Sequence, residues 1–219
     1  MTAASDFAFP ATTLSFLAGL KANNEKAWFE AHRADYEAGF RAPADTFSAL
    51  VAAELDAMTG AHQTVKVYRI HRDVRFSKDK TPYNGHLHVS FHPAEGPAAR
   101  PGWFFGVQPD RVSLGAGVFE MGGAALDAYR ARAAGPEGED LEAALAGMTA
   151  AGFEVGEPNL KRVPAPYAPD HPRGALLRRK SLTAWRTFAD PQAALRPGIV
   201  DEVMAGFAGL RPLYDWLMD

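Results

Sequence analysis

Trp103-Phe104-Phe105-Gly106-Val107-Gln108-Pro109-Asp110-Arg111-Val112-Ser113-Leu114-Gly115-Ala116-Gly117-Val118 is two apolar runs on either side of a turn signal. Proline fits the second position of a β-turn because its φ is already fixed, and aspartate is tolerated in the third. The stretch therefore predicts a hairpin of Trp103–Gln108 and Val112–Val118. Upstream, Thr64–Phe76 has a period of two and reads as one strand, or two with a kink, His86–Phe91 follows in the same period, and Leu182–Phe188 predicts a further strand. The loop from Pro93 to Gly102 is assigned by composition.

Helical periodicity brackets these strands. Leu14, Leu17 and Leu20 mark a first helix, with Thr12 and Thr13 as candidate caps. Asn24 is expected to cap a second helix, which carries Trp28, His32, Tyr36 and Phe40 at steps of four with Phe29 beside them. His32 sits in an apolar stripe and is expected to be packed and hydrogen-bonded rather than catalytic. Pro43 fits the first turn of a third helix bearing Phe47, Val51 and Leu55. Further helices are expected near 122–134, 138–150 and Gly198–Leu217, and Asn159–Pro172 should be an irregular connection. Consecutive strands between groups of helices argue for an α+β fold with a largely antiparallel β-sheet packed by N-terminal and C-terminal helices. No repeat or composition shift marks a boundary, so residues 1–219 are expected to form a single domain with an ordered core of about 8–217.

Composition excludes several functions. The 219 residues include no cysteine, which removes disulfides, thiol catalysis and iron–sulfur clusters. The start, Met1-Thr2-Ala3-Ala4-Ser5-Asp6-Phe7, lacks the basic and apolar runs of a secretory signal, and no stretch is apolar enough to span a membrane. The expected setting is cytoplasmic, with no membrane partner. The net charge of −3 makes nucleic acid an unfavoured partner. The charge is segregated, however. Residues 66–80 carry six basic and two acidic side chains, and residues 158–186 carry seven and one.

The first basic block carries the chemical signal. Residues 68–83 read Tyr-Arg-Ile-His-Arg-Asp-Val-Arg-Phe-Ser-Lys-Asp-Lys-Thr-Pro-Tyr. As a strand, Arg69, His71, Asp73 and Arg75 would face one side, and Tyr68, Ile70, Val74 and Phe76 the other, with Arg72 intruding among the apolar groups. A guanidinium there cannot lose its proton, so it must be paired or reach an anion. Grouped arginines and lysines suit phosphate or carboxylate, whose oxygens accept from planar forks.

These residues resemble the signature of a bacterial and fungal family, domain of unknown function 2461. Asn23-Asn24-Glu25-Lys26-Ala27-Trp28-Phe29 is similar to that family's opening helix pair, and Gly115-Ala116-Gly117 to its glycine stretch. His171-Pro172 and Leu177-Arg178-Arg179-Lys180-Ser181 are similar to its later basic stretch. Where the family commonly continues Lys-Thr after the tyrosine, Asn84-Gly85 stands here. The resemblance spans nearly the whole chain, points to a bacterial protein and implies no established activity.

The expected function is therefore recognition of a small phosphorylated or other anionic ligand. Arg69, Arg72, Arg75, Lys78 and Lys80 would supply charge, and Arg179 and Lys180 would join from the second block. Asp73 or Asp79 would orient these groups, or act as general base if phosphate transfer or hydrolysis occurs, and Tyr83 would donate a hydrogen bond. The alternative is a non-catalytic structural or protein-interaction module in which the motif is a salt-bridge scaffold, with a protein partner. A third reading binds single-stranded nucleic acid through arginine with Trp103, Phe104 and Phe105 as stacking residues. His86, His88 and His92 alternate as metal ligands can, but polar sheet faces often hold histidines without one, and no metal or cofactor is assigned. The letters His71-Arg72-Asp73 are shared with kinase catalytic loops, and Ser77-Lys78-Asp79-Lys80 with a penicillin-binding serine motif. Neither has its partner motifs in this chain.

Overall fold

The computed structural model describes residues 4–219. Helix α1 (Ala11–Ala22) is followed by α2 (Lys26–Ala31) and α3 (Arg33–Tyr36), and one π turn (Glu37–Arg41) leads directly into α4 (Ala42–Thr59). Strands β1 (Gln63–Val67), β2 (Leu87–Pro93), β3 (Gly102–Gln108) and β4 (Arg111–Val118) come next. The chain closes with α5 (Gly123–Ala134), α6 (Glu137–Ala150), β5 (Glu154–Val155), α7 (Gly174–Leu177), β6 (Leu182–Phe188) and α8 (Ile199–Met218). The six strands form one antiparallel sheet in the order β1-β2-β3-β4-β6-β5, so the α+β expectation holds. The hairpin of β3 and β4 lies where its sequence places it, and β6 occupies the expected residues.

The chain gathers into two compact units. One comprises residues up to Phe91 with Phe104–Leu114 and Thr187–Ala205, and the other His92–Trp103, Gly115–Arg186 and Gly206–Asp219. In the first, α4 buries Phe47, Val51 and Leu55 at successive steps of four. Each such side chain contributes roughly 1.5–3 kcal/mol on removal from water. Phe47 meets Phe9 at 5.2 Å and Phe105 at 4.3 Å between ring centroids. Gly60, at φ 71°, ends the helix by donating its N–H to the Asp56 carbonyl. In the second unit, Trp103 stacks on Tyr214 of α8 at 4.3 Å. The Trp216 indole donates to the Glu137 carbonyl at the start of α6.

Three local expectations are corrected. Of the strand, or two strands with a kink, expected over Thr64–Phe76, β1 ends at Val67, because from Ile70 onward the residues pair with their own continuation rather than with β2. Thr13 caps nothing: it is buried in α1, and its hydroxyl donates to the Gly39 carbonyl in the π turn. The apolar run Trp28–Phe40 is broken at His32, whose Nδ1 lies 2.8 Å from the Trp28 carbonyl and whose ring stacks on Trp28. The glycines of β4 lie close against β6. A Cβ on Gly117 would stand 2.1 Å from the Leu182 carbonyl, and one on Gly115 would stand 2.5 Å from the Trp185 ring.

Candidate functional site

Beyond β1, the Tyr68 N–H still donates to the His88 carbonyl, and its ring stacks on His88 at 4.7 Å. The chain then doubles back. Arg72 donates its N–H to the Pro82 carbonyl and Asn84 donates to the Ile70 carbonyl, with His71 and Tyr83 bridged between them. The alternation read from the sequence survives without a long strand. Ile70 is fully buried, Arg72 and Val74 are half-buried, and Arg69, His71, Asp73 and Arg75 are exposed. Phe76 departs from it: at 96% exposure it stands in solvent rather than on the apolar side.

Aspartates shape the tip. Asp79 accepts from the Thr81 N–H at 2.9 Å, and Asp73 accepts from the Arg75 N–H at 3.2 Å. Each carboxylate then holds a different arginine. Asp79 accepts from Arg72 Nη1 at 2.6 Å, and Asp73 accepts from Arg75 Nη2 at 2.7 Å. Arg72 Nη1 also donates to the Thr81 carbonyl at 3.0 Å and to the Thr81 hydroxyl, while Nη2 donates to Ser77 Oγ. The guanidinium that intrudes on the apolar side is thus paired within its own loop. Lys80 Nζ donates to the Val74 carbonyl. Arg69 and Lys78 make no side-chain hydrogen bond or ion pair among the described residues.

A residue far away in sequence fixes this loop. Asn24 donates its side-chain amide to the Tyr83 carbonyl at 2.9 Å and accepts from the Tyr83 N–H at 3.0 Å. It therefore does not cap α2, whose start has no side-chain cap. The Tyr83 ring is buried and stacks on Phe29 at 4.4 Å.

Beside the loop lies a cleft of about 470 Å³. Arg72, Asp79 and Thr81 of the loop line it together with Lys21 from the end of α1 and with Asn84, His86 and Gln108. Lys21 makes no side-chain ion pair or hydrogen bond among the described residues. The Thr81 N–H and the Arg72 guanidinium hold the Asp79 carboxyl well below its usual range, at about 2. The Arg75 side chain likewise lowers Asp73. Carboxylates this acidic are weak proton acceptors at neutral pH, which argues against the general-base role. Desolvation lowers the His86 and His88 imidazoles, the latter further through His86. Among the described residues no three histidines, aspartates or glutamates are placed to hold a metal.

The other sequence-derived candidates lie elsewhere. Arg179 and Lys180 belong to the second unit, where buried Arg179 donates from Nη1 to the Gly156 carbonyl and Lys180 is exposed. The nucleic-acid stacking set is withdrawn into the interior, because Trp103 and Phe105 are fully buried and Phe104 is 2% exposed.

Residues 12–216 match the family model described as "Conserved hypothetical protein (DUF2461)". The chain belongs to this family. No curated protein matches it. The stretch that carries the resemblance to DUF2461, residues 68–83, is the loop built on Arg72, and the Asn24 of the opening helix pair is its clamp. Asn84 lines the cleft and donates to the Arg69 carbonyl at 3.2 Å. Among the described residues no helix is long and apolar enough to cross a membrane.

Proposed function

We propose that this protein, acting in the bacterial cytoplasm, recognises a small anionic ligand in the cleft beside the Arg72 loop, with phosphate the first chemistry to test. The observation that carries this reading is the pairing pattern on the cleft wall. Asp79 and Thr81 hold the Arg72 guanidinium in place, while Lys21, which lines the same cleft, forms no ion pair among the described residues. With Arg72 answered by Asp79, Lys21 is the cleft's free charge, and neutral donors already in place around it lower the entropy of capturing an oxyanion. Asn84, His86 and Gln108 supply those neutral donors. No catalytic step is part of the reading, since neither nearby carboxylate is basic enough for proton abstraction.

The rival is the scaffold reading, favoured by the fact that every hydrogen bond of the Arg72 side chain stays within residues 77–81. Lys21→Ala separates the two, because it removes a cleft charge without touching the loop. Amide chemical shifts are followed during titration with inorganic phosphate at constant ionic strength. In the recognition reading, Asn84 and Gly85 shift in the wild type, and Lys21→Ala weakens the effect about tenfold, the loss expected for one charge-assisted hydrogen bond. If those amides do not move, the loop is scaffold and the recognition reading falls.

A further inference from the structure

The second basic block forms a concavity of its own. Lys161, Arg162 and Arg178 surround a cavity of about 430 Å³ together with His171, and no carboxylate lines it. The cations of this block are spent differently from those of the Arg72 loop. Arg173 caps the C-terminus of α5, donating from Nε to the Ala133 carbonyl at 3.0 Å and from Nη2 to the Ala134 carbonyl at 2.7 Å, and its Nη1 pairs with the Glu139 carboxylate at 3.4 Å. Arg186 donates to the Ala151 carbonyl at the end of α6, and Arg178 donates from Nε to Gly174. Carbonyls orient a guanidinium without neutralising it. Lys161, Arg162 and Arg178 form no ion pair among the described residues, so the cavity keeps three positive charges.

The walls are built before any ligand arrives. Asn159 Oδ1 accepts from the N–H groups of Lys180 and Ser181 at 2.6 and 3.0 Å, and the Leu160 N–H donates to the Arg178 carbonyl. These bonds tie the segment carrying Lys161 and Arg162 to the chain just beyond α7. Pro169 and Pro172 line the cavity with their φ angles fixed. Gly174 lets α7 approach closely, since a Cβ there would stand 3.0 Å from Val163. His171 accepts the Arg173 N–H at Nδ1, which leaves the neutral ring an Nε2–H to donate.

We infer that this cavity is a binding site for a multiply charged phosphate compound, distinct from the cleft at Arg72. Three unneutralised cations in a concave wall concentrate anions, and arginine forks match phosphate oxygens two at a time. The volume lies in the range of small-ligand pockets, and Val163, Pro169 and Ala175 offer an apolar side to whatever carries the phosphates. A single carboxylate would leave two of the charges unanswered, which is why a polyphosphate is the better fit.

The test is titration of the full chain with inorganic pyrophosphate, and separately with a nucleoside 5′-diphosphate, at constant ionic strength. Gly174 and Ala175 amide shifts report this site, while Asn84 and Gly85 report the other. Both probes are expected to shift Gly174 and Ala175. The exposed pair Lys161→Ala/Arg162→Ala should weaken binding there at least about tenfold, whereas Lys21→Ala should leave it within about twofold. The diphosphate binding more tightly than pyrophosphate would place the organic group on the apolar wall, and equal affinity would confine recognition to the phosphates. No shift at Gly174 and Ala175 up to about 10 mM of either probe, near the floor of measurable affinity, overturns the inference. So does binding that survives the double substitution, or binding seen only with a single-stranded oligonucleotide. Failure at Asn84 and Gly85 alone bears on the first reading and not on this one.

Discussion

Replacing Asn24 by alanine removes both hydrogen bonds that hold Tyr83, and the structure fixes the scale of the loss. Tyr83 is 4% exposed, so its N–H and C=O gain little from water once the amide is gone. Two bonds at a net contribution of about 1 kcal/mol each, together with the cost of leaving buried backbone groups unpaired, give about 2–4 kcal/mol. That is a large part of the roughly 5–15 kcal/mol that holds a typical domain folded. In urea, with a slope near the upper end of ~1–3 kcal/mol/M, the midpoint should fall by about 1 M. Asn24→Ser separates the clamp from a helix cap. Serine serves well before a helix, but its short hydroxyl cannot meet both backbone groups of Tyr83. The serine variant should therefore lose nearly as much as alanine, and hydrogen exchange at the Tyr83 amide should accelerate in both. If Asn24→Ser keeps the wild-type midpoint, Asn24 is a cap after all and the clamp argument is refuted.

Three further outcomes follow from the same geometry. Gly117→Ala should cost about 3–5 kcal/mol, because φ 131° is strained for any side chain and the new Cβ would meet immovable backbone of β6. Gly60→Ala, at φ 71° with open space around it, should cost only ~1–2 kcal/mol, and calorimetry on the pair separates strain from crowding. The lowered His86 and His88 mean that the unfolded chain binds protons first as pH falls. Their contribution is complete above the unfolded value of about 6.5 and is lost below it, so urea stability should drop between pH 7.5 and 5.5, and by less in His86→Gln/His88→Gln. Asp79, held at about 2, contributes above the ordinary carboxylate value and loses that contribution as pH falls from near 4 toward 2, which the Thr81 amide shift should follow.

What the sequence disclosed depended on the range of the interaction. The β3–β4 hairpin, α5, α6, β6 and α8 lie within a residue or so of their expected bounds, because breakers and periodicity act over a few neighbours. Features that depend on distant partners did not show. The end of β1 at Val67 is set by pairing of residues 70–72 with 82–84, and nothing in the alternation of Thr64–Phe76 records it. Asn24 carries a cap-like signature, yet its partner lies 59 residues on. Strand β5 spans only two residues, Glu154 and Val155, paired with Trp185 and Ala184, too few to leave a periodic trace.

Charge is the clearest case of partial legibility, and it bears on where ligands go. Both basic blocks stand out in the sequence, and by count alone they look alike. The structure gives them different fates, because both aspartates of the first block pair with arginines of their own loop, whereas Asp170, the one acidic residue of the second, forms no ion pair among the described residues. Asp73 and Asp79 sit where a turn needs a side-chain acceptor, and each neutralises an arginine in the act of shaping the backbone. In the second block that backbone work falls to Asn159 and to the ends of α5 and α6, whose carbonyls take up Arg173 and Arg186, with Arg173 also paired to Glu139 of α6. Two of the six cations of the first block are thus neutralised within their own loop, while Lys161, Arg162 and Arg178 of the second form no ion pair among the described residues. Substituting Asn159 by aspartate puts this to the test. It keeps the acceptor for the Lys180 and Ser181 N–H groups while adding one negative charge beside the cavity, so pyrophosphate affinity should fall severalfold with the fold intact. An unchanged affinity would mean that the block's net charge does not govern the cavity.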